Sequence, residues 1–133
     1  MRFDIDSYLG VHATAVTTRS KRAEILANNL ANADTPGFKA RDFDFKQAMQ
    51  QAMTDTGISS GMKTTHAKHI RTSDSINGAE LMYRSPMQPS VDGNTVDSQV
   101  EKSQFLQNAL QYQASLMFLS GKIKTLKTAL KGE

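Results

Sequence analysis

Apolar side chains recur every seven residues in the first part of the chain, at Leu9, Val16, Ala23 and Leu30. Ile5, Leu26 and Ala27 widen the stripe, and Arg19, Lys21, Arg22 and Glu24 fall mainly between its members. The period predicts a helix over about 8–33. Its stop is explicit in Asn32-Ala33-Asp34-Thr35-Pro36-Gly37. Pro36 biases Thr35 away from helical angles, and Gly37 permits a tight turn. Asn32 or Ala33 is the expected last helical residue, with Phe38 packing back on an apolar surface. Asn28, Asn29 and Asn32 all cost helix propensity. Their amides are therefore expected to make hydrogen bonds, to the turn or to a neighbouring molecule. Phe38, Phe43 and Phe45 then form an apolar patch, and Phe45, Met49 and Met53 predict a short amphipathic helix over about 43–53.

The last part of the chain is the most regular. Phe105, Tyr112, Leu119 and Leu126 recur every seven residues, and Ala109, Leu116, Ile123 and Leu130 follow four behind. That seam approaches a coiled-coil pattern over 97–131. Ser98 and Glu101 have the spacing of a capping box, with Asp97 as the rival N-cap. Lys122, Lys124, Lys127 and Lys131 suit the partial charge of a helix carboxyl end, and Gly132 suits its termination. Gly121 lies mid-helix, where close approach by another helix would justify it. Leu106, Leu110, Met117 and Phe118 lie off the seam, so a lone hairpin would leave them wet. The seam is therefore expected to serve both within the chain and between molecules.

Between these parts, Thr54 to Thr95 shows no sustained period. It holds Gly57, Gly61, Gly78, Gly93, Pro86 and Pro89. A flexible or partner-ordered segment is expected there, with short extended pieces around Leu81-Met82-Tyr83. The fold class that follows is mainly α. A pair of long terminal helices, elongated and coiled-coil-like, is joined by a turn and short third helix (34–53) and a flexible or extended middle (54–95), in one module of 133 residues.

Composition narrows the function. Hydrophobic residues make up 38% and aromatics 7%, so the chain alone buries a modest core. Sixteen Lys and Arg against thirteen Asp and Glu leave only +3, a weak footprint for nucleic acid. Cysteine is absent, which excludes a disulfide scaffold and thiol chemistry. The opening MRFDIDSYLG carries Arg2, Asp4 and Asp6 with no apolar run, so a cleaved signal peptide is not expected. Ser103 to Gly121 is uncharged but holds five Gln and Asn side chains, which argues against a membrane span.

Catalytic patterns are lacking. His66 and His69 are three apart with no completing ligands, so a polar loop is preferred over a metal site. No nucleophile elbow, phosphate loop or dinucleotide fingerprint occurs. Asp42 and Asp44 alternate with Phe43 and Phe45 and read as a solvated face or as caps. No enzyme, cofactor or metal is expected. The carboxyl-terminal lysines leave one rival, a small basic helical nucleic-acid-binding or chaperone-like adaptor.

The segment Asn28-Asn29-Leu30-Ala31-Asn32-Ala33-Asp34-Thr35-Pro36-Gly37-Phe38-Lys39 closely resembles the amino-terminal motif of bacterial flagellar axial proteins, the rod and hook group. Ala40-Arg41-Asp42-Phe43-Asp44-Phe45, Tyr83-Arg84-Ser85-Pro86, Gln88-Pro89-Ser90 and Asp92-Gly93-Asn94-Thr95-Val96-Asp97 are similar to its proximal rod members, as are Leu110-Gln111-Tyr112-Gln113 and Leu119-Ser120-Gly121-Lys122-Ile123-Lys124. The resemblance covers essentially the whole chain, most weakly around 54–71. It implies a non-catalytic subunit of the flagellar rod, the periplasmic drive shaft between motor and hook. It implies export through the flagellar type III apparatus without a cleaved signal. It also implies self-association and contact with the rod proteins FlgC, FlgF and FlgG and the MS-ring adaptor FliE. Asn28, Asn29, Leu30, Asn32, Thr35, Pro36, Gly37 and Phe38 would then form an assembly motif, and the two heptad series with Gly121 a helix-packing seam.

Overall fold

The computed structural model describes residues 5–54, 75–76, 79–86, 88 and 90–132. Helix α1 spans Ile5–Ala31, strand β1 Arg41–Asp42, helix α2 Phe45–Thr54, strands β2 Ser75–Ile76, β3 Ala79–Glu80 and β4 Met82–Tyr83, and helix α3 Ser98–Lys131. The protein is mainly helical, and its two long helices pack against each other. They run antiparallel, since Asn29 meets Glu101, Arg19 meets Ser115 and Tyr8 meets Lys122. β1 pairs antiparallel with β4, Arg41 opposite Tyr83, and β2 pairs with β3.

The helix ends follow from local chemistry. α1 stops at Ala31, just short of the expected residue. Asn32 N–H still donates to the carbonyls of Asn28 and Asn29, at 3.2 and 3.1 Å. The chain then turns with a Phe38 N–H to Thr35 carbonyl bond of 3.3 Å. Pro36 occupies the first central position of that turn and Gly37 the second, at φ +73°. That left-handed angle is what a type II turn requires and what glycine adopts without strain. α2 begins where Asp44 Oδ1 accepts from Lys46 N–H at 2.7 Å. α3 begins at Asp97, whose Oδ1 accepts from Gln99 and Val100 N–H at 2.9 and 3.3 Å. The Ser98–Glu101 capping box is replaced by this cap, because Glu101 turns inward to other partners. Gly132 closes α3 at φ 74°, its N–H donating to the Thr128 carbonyl.

Within the middle expected to be flexible or extended, the described residues are extended or docked. Ala79 joins Phe43 and Ala48 in a small apolar cluster flanked by Ile25, Ile76 and Leu81. Residues 90–96 bind the end of α1 rather than waiting on a partner, with Gly37 N–H on the Asp92 carbonyl at 2.9 Å and Thr95 N–H on the Phe38 carbonyl at 3.0 Å. The segment 55–74, with His66 and His69, lies outside the described residues. Among the described residues, no helix is long and apolar enough to cross a membrane.

Candidate assembly interface

The seam between α1 and α3 buries several polar side chains beside Leu26. Glu101, Asn108 and Ser115 on α3 are buried and spaced by seven, Thr18, Leu26 and Asn29 of α1 are buried as well, and Asn29 bonds Glu101. Asn108 Nδ2 donates to the Arg19 carbonyl at 3.0 Å, and Arg19 Nε donates to Ser115 Oγ at 3.1 Å. Arg19 also donates to Gln111 Oε1 and lies 4.0 Å over the Phe45 ring, which ties α2 to the same contact.

At the α1 end, an ion-pair latch joins four elements. Arg22 donates to both Asp42 oxygens, at 3.1 and 2.9 Å. Arg84 Nη2 reaches Asp42 at 2.6 Å, and its Nη1 pairs with Glu101. Asn29 Nδ2 donates to Glu101 at 3.3 Å and to the Arg41 carbonyl at 2.7 Å, while its Oδ1 accepts from Arg41 N–H at 3.1 Å. One amide thus bonds an edge of β1 as a neighbouring strand would. Asp42 and Glu101, read from sequence as a solvated face or cap and as a capping partner, are both members of this latch.

Burial pushes the two carboxyls in different net directions. Desolvation raises Asp42, but the bonds from Arg22, Phe43 N–H and Arg84 outweigh it and hold the group below its usual range. Desolvation raises Glu101, and Arg84 and Asn29 only partly offset it. Glu101 therefore costs stability at neutral pH, and that cost is relieved as pH falls through its raised native pKa. Asp42 stabilises above its unfolded pKa of about 3.9, and this is lost as pH falls through its lowered native pKa. Urea midpoints between pH 7 and 2 should first hold or rise slightly, then fall steeply once Asp42 protonates. Glu101→Gln should remove the first phase and keep the second; a steady decline from pH 6 in both proteins would contradict this order.

Asn94 makes the second tie. It is 6% exposed, and its Nδ2 donates to the carbonyls of Asn32, Ala33 and Thr35, at 3.1, 2.7 and 3.0 Å. Carbonyls at a helix carboxyl end lack intrahelical donors, and this amide supplies one. The amino-terminal motif and the 92–97 segment are thus two halves of one junction. Asn32 folds back on the Asn28 carbonyl at 2.8 Å and accepts from Thr35 Oγ1 at 3.2 Å. Leu30 is half-buried, and Thr35, Pro36 and Gly37 lie exposed on the turn. Asn28 is exposed beside an open cleft of about 590 Å³, which half-buried Phe38 lines with Ile25, Leu81 and Tyr83.

The apolar heptads are only partly covered. Leu9, Val16 and Ala23 are half-buried, as are Ala109, Tyr112, Leu119 and Leu126. Phe105, Leu116, Ile123 and Leu130 are exposed, Leu130 at 88%. Gly121 is exposed, and a Cβ added there would meet nothing within 4 Å. The expected close approach at Gly121 is therefore not made by the chain's own described residues. Leu106, Leu110, Met117 and Phe118 are 65–75% exposed. Sequence reasoning missed Arg22, Arg84, Asn94, Asn108 and Ser115; the polar series Glu101, Asn108, Ser115 was the signal available.

The fold is thus an antiparallel pair of long helices whose junction motif is bound to the start of α3, with apolar side chains left outside. A family model described as flagella basal body rod protein matches residues 9–39, most of α1 with its turn. A flagellar basal body rod protein FlgB of Aeromonas hydrophila is 50% identical over 134 residues, covering 100% of this chain and 99% of its own. Those of Escherichia coli K12 and Cereibacter sphaeroides are 45% and 43% identical, each covering at least 94% of both chains. The chain belongs to the FlgB family of flagellar basal body rod proteins.

Proposed function

We propose that the chain is a structural subunit of the flagellar basal-body rod and acts without catalysis, as part of the shaft that carries torque from motor to hook. The observation that carries this reading is the allocation of side chains. Glu101, Asn108, Ser115, Thr18 and Asn29 are buried within the subunit beside Leu26, and Leu106, Leu110, Met117 and Phe118 are left on its surface. Water-exposed apolar stripes of this extent are stabilised by burial against neighbours. Close-packed helices supply the stiffness that torque requires. Its location is the basal body, and its associates are other rod and basal-body proteins. FlgC, FlgF, FlgG and FliE are the specific neighbours proposed, with passage through the flagellar type III apparatus to the periplasm without a cleaved signal. Neither the polar seam nor the relatives favour the nucleic-acid adaptor.

Gly121→Leu tests the reading. The site is open in the subunit, and leucine raises helix propensity, so the purified variant should fold at least as stably as the parent. In cells it should give few rods and little swimming, through overlap with a neighbouring helix, while Gly121→Ala is milder. Normal motility in the Leu variant would remove close packing at Gly121. Absence of the parent chain from purified basal bodies would overturn the rod assignment itself.

A further inference from the structure

We propose that Asn108 makes the inner face of α3 specific for the Arg19 site of α1 and closes that face to any other helix surface. The inference rests on the rod reading and deepens it. It names the residue that keeps the contact within the subunit distinct from the contacts left for neighbours.

Apolar packing alone does not make α3 selective. Burial of apolar area is non-directional, and α3 offers such area on more than one side. At about 100° per residue, Leu106, Leu110 and Met117 lie about 160–180° around α3 from Asn108, and Phe105 and Ile123 about 60° from it. All five are exposed, at 36–75%. The repeat of seven presents the same apolar pattern again after a slide of one heptad. α3 carries no charge from Ser103 to Gly121, so ion pairs between helices sort nothing along that stretch.

The polar side chains supply the selectivity. Arg19 is gripped by both its backbone and its side chain. Its carbonyl accepts from Asn108 Nδ2 at 3.0 Å, and its Nε donates to Ser115 Oγ at 3.1 Å. Ser115 donates in turn to the Gln111 carbonyl at 2.9 Å, and Gln111 Oε1 accepts a second guanidinium N–H. Three positions of α3 over two turns thus match one residue of α1. After a slide of one heptad, Gln111 and Ser115 leave Arg19. Against an apolar face, Asn108 strands both ends of its amide, and such penalties on wrong pairings create specificity. The short connection between the helices makes the matching site the one on the same chain. For stability the amide is a poor choice. Asn108 is 1% exposed, and its Oδ1 is buried without a hydrogen-bond partner among the described residues. A buried unpaired acceptor is destabilising, and leucine has the same branched outline without it. A single buried Asn in a heptad seam fixes partner and register at such a cost. Asn108 and Ser115 lie one and two heptads beyond Glu101, so they act on a part of α3 that the latch and the Asn94 tie do not touch.

Purified Asn108→Leu tests the assignment. Its urea midpoint should rise by about 0.5–1 M over the parent, since an unpaired acceptor is gone. Sedimentation velocity should show self-association at least tenfold tighter than the parent's, because an inner face without the amide also packs on other helices. Cells whose only copy is Asn108→Leu should swim less although the subunit is more stable, a split that a merely structural residue does not give. Where circular dichroism shows the Leu variant unfolded, Asn108→Ala, which cannot clash, is read in the same association assay, and parent-like association there would overturn the proposal. A more stable Leu variant that associates like the parent and swims normally would overturn it too. So would a folded Leu variant with a lower urea midpoint, because the amide would then hold the fold instead of choosing a partner. Absence of the parent chain from purified basal bodies would count against the rod reading and leave the association result in purified protein to decide the role of Asn108.

Discussion

Arg84→Met is expected to cost the isolated protein about 3–5 kcal/mol, the range for removing one partner of a buried pair. Arg84 is the only cation bonded to both carboxylates of the latch among the described residues. Without it, Asp42 keeps both bonds from Arg22, and its loss is modest. Among the described residues, Glu101 keeps only the Asn29 amide, in a site where it is 1% exposed. A carboxylate so placed must protonate or drag water inward, and either weakens the junction of α1, β1, β4 and α3. Arg84 is itself 26% exposed, so the lower end of the range is the better figure. With domain stability of roughly 5–15 kcal/mol, much of the margin would go. Urea unfolding followed by circular dichroism reads the effect. Arg84→Met combined with Glu101→Leu should recover at least half, because the stranded charge is gone. A single-variant loss under about 1 kcal/mol would show a mere surface pair.

The period of seven made both long helices legible, since only a helix returns positions 9, 16, 23 and 30 to one line. Pro36 and Gly37 made the turn legible, because proline fixes its own φ and glycine tolerates the positive φ that the turn requires. The inward face was not legible. Hydrophobic periodicity assumes that the apolar stripe is the buried one, and here Glu101, Asn108 and Ser115 take that place. The assumption fails for a subunit whose larger apolar partner is another molecule, as the proposed rod contact requires. The latch was hidden for a different reason. Arg22, Asp42, Arg84 and Glu101 are far apart in sequence, and each alone reads as a solvated charge or a cap. Only the pairing of β1 with β4 brings Asp42 and Arg84 together beside α3. Asn94 had no period to betray it, although it sat inside a segment that resembled the family.

Asn94 carries the other large effect. Asn94→Ala removes the donor to the carbonyls of Asn32, Ala33 and Thr35, and the acceptor for Val96 N–H at 2.8 Å. Each lost bond is worth about 0.5–1.5 kcal/mol net, and the carbonyls at the turn recover part of it from water. A loss of about 2–3 kcal/mol is expected. The damage is to position as well as to stability. Asn94 ties the end of α1 to the segment that leads, through Val96 and Asp97, into the first turn of α3. Releasing it frees the two helix ends to shift relative to each other, so rod formation should fall further than folding does. Asn94→Asp separates hydrogen bonding from packing. It keeps the shape and the acceptor for Val96, but sets a carboxylate against three carbonyl oxygens. Repulsion makes Asp worse than Ala, whereas loss of packing alone makes Ala the worse of the two. Urea midpoints rank the variants, and amide exchange at residues 32–38 shows where the protection is lost. Should Asp prove as mild as Ala or milder, the amide is not what holds the motif to α3.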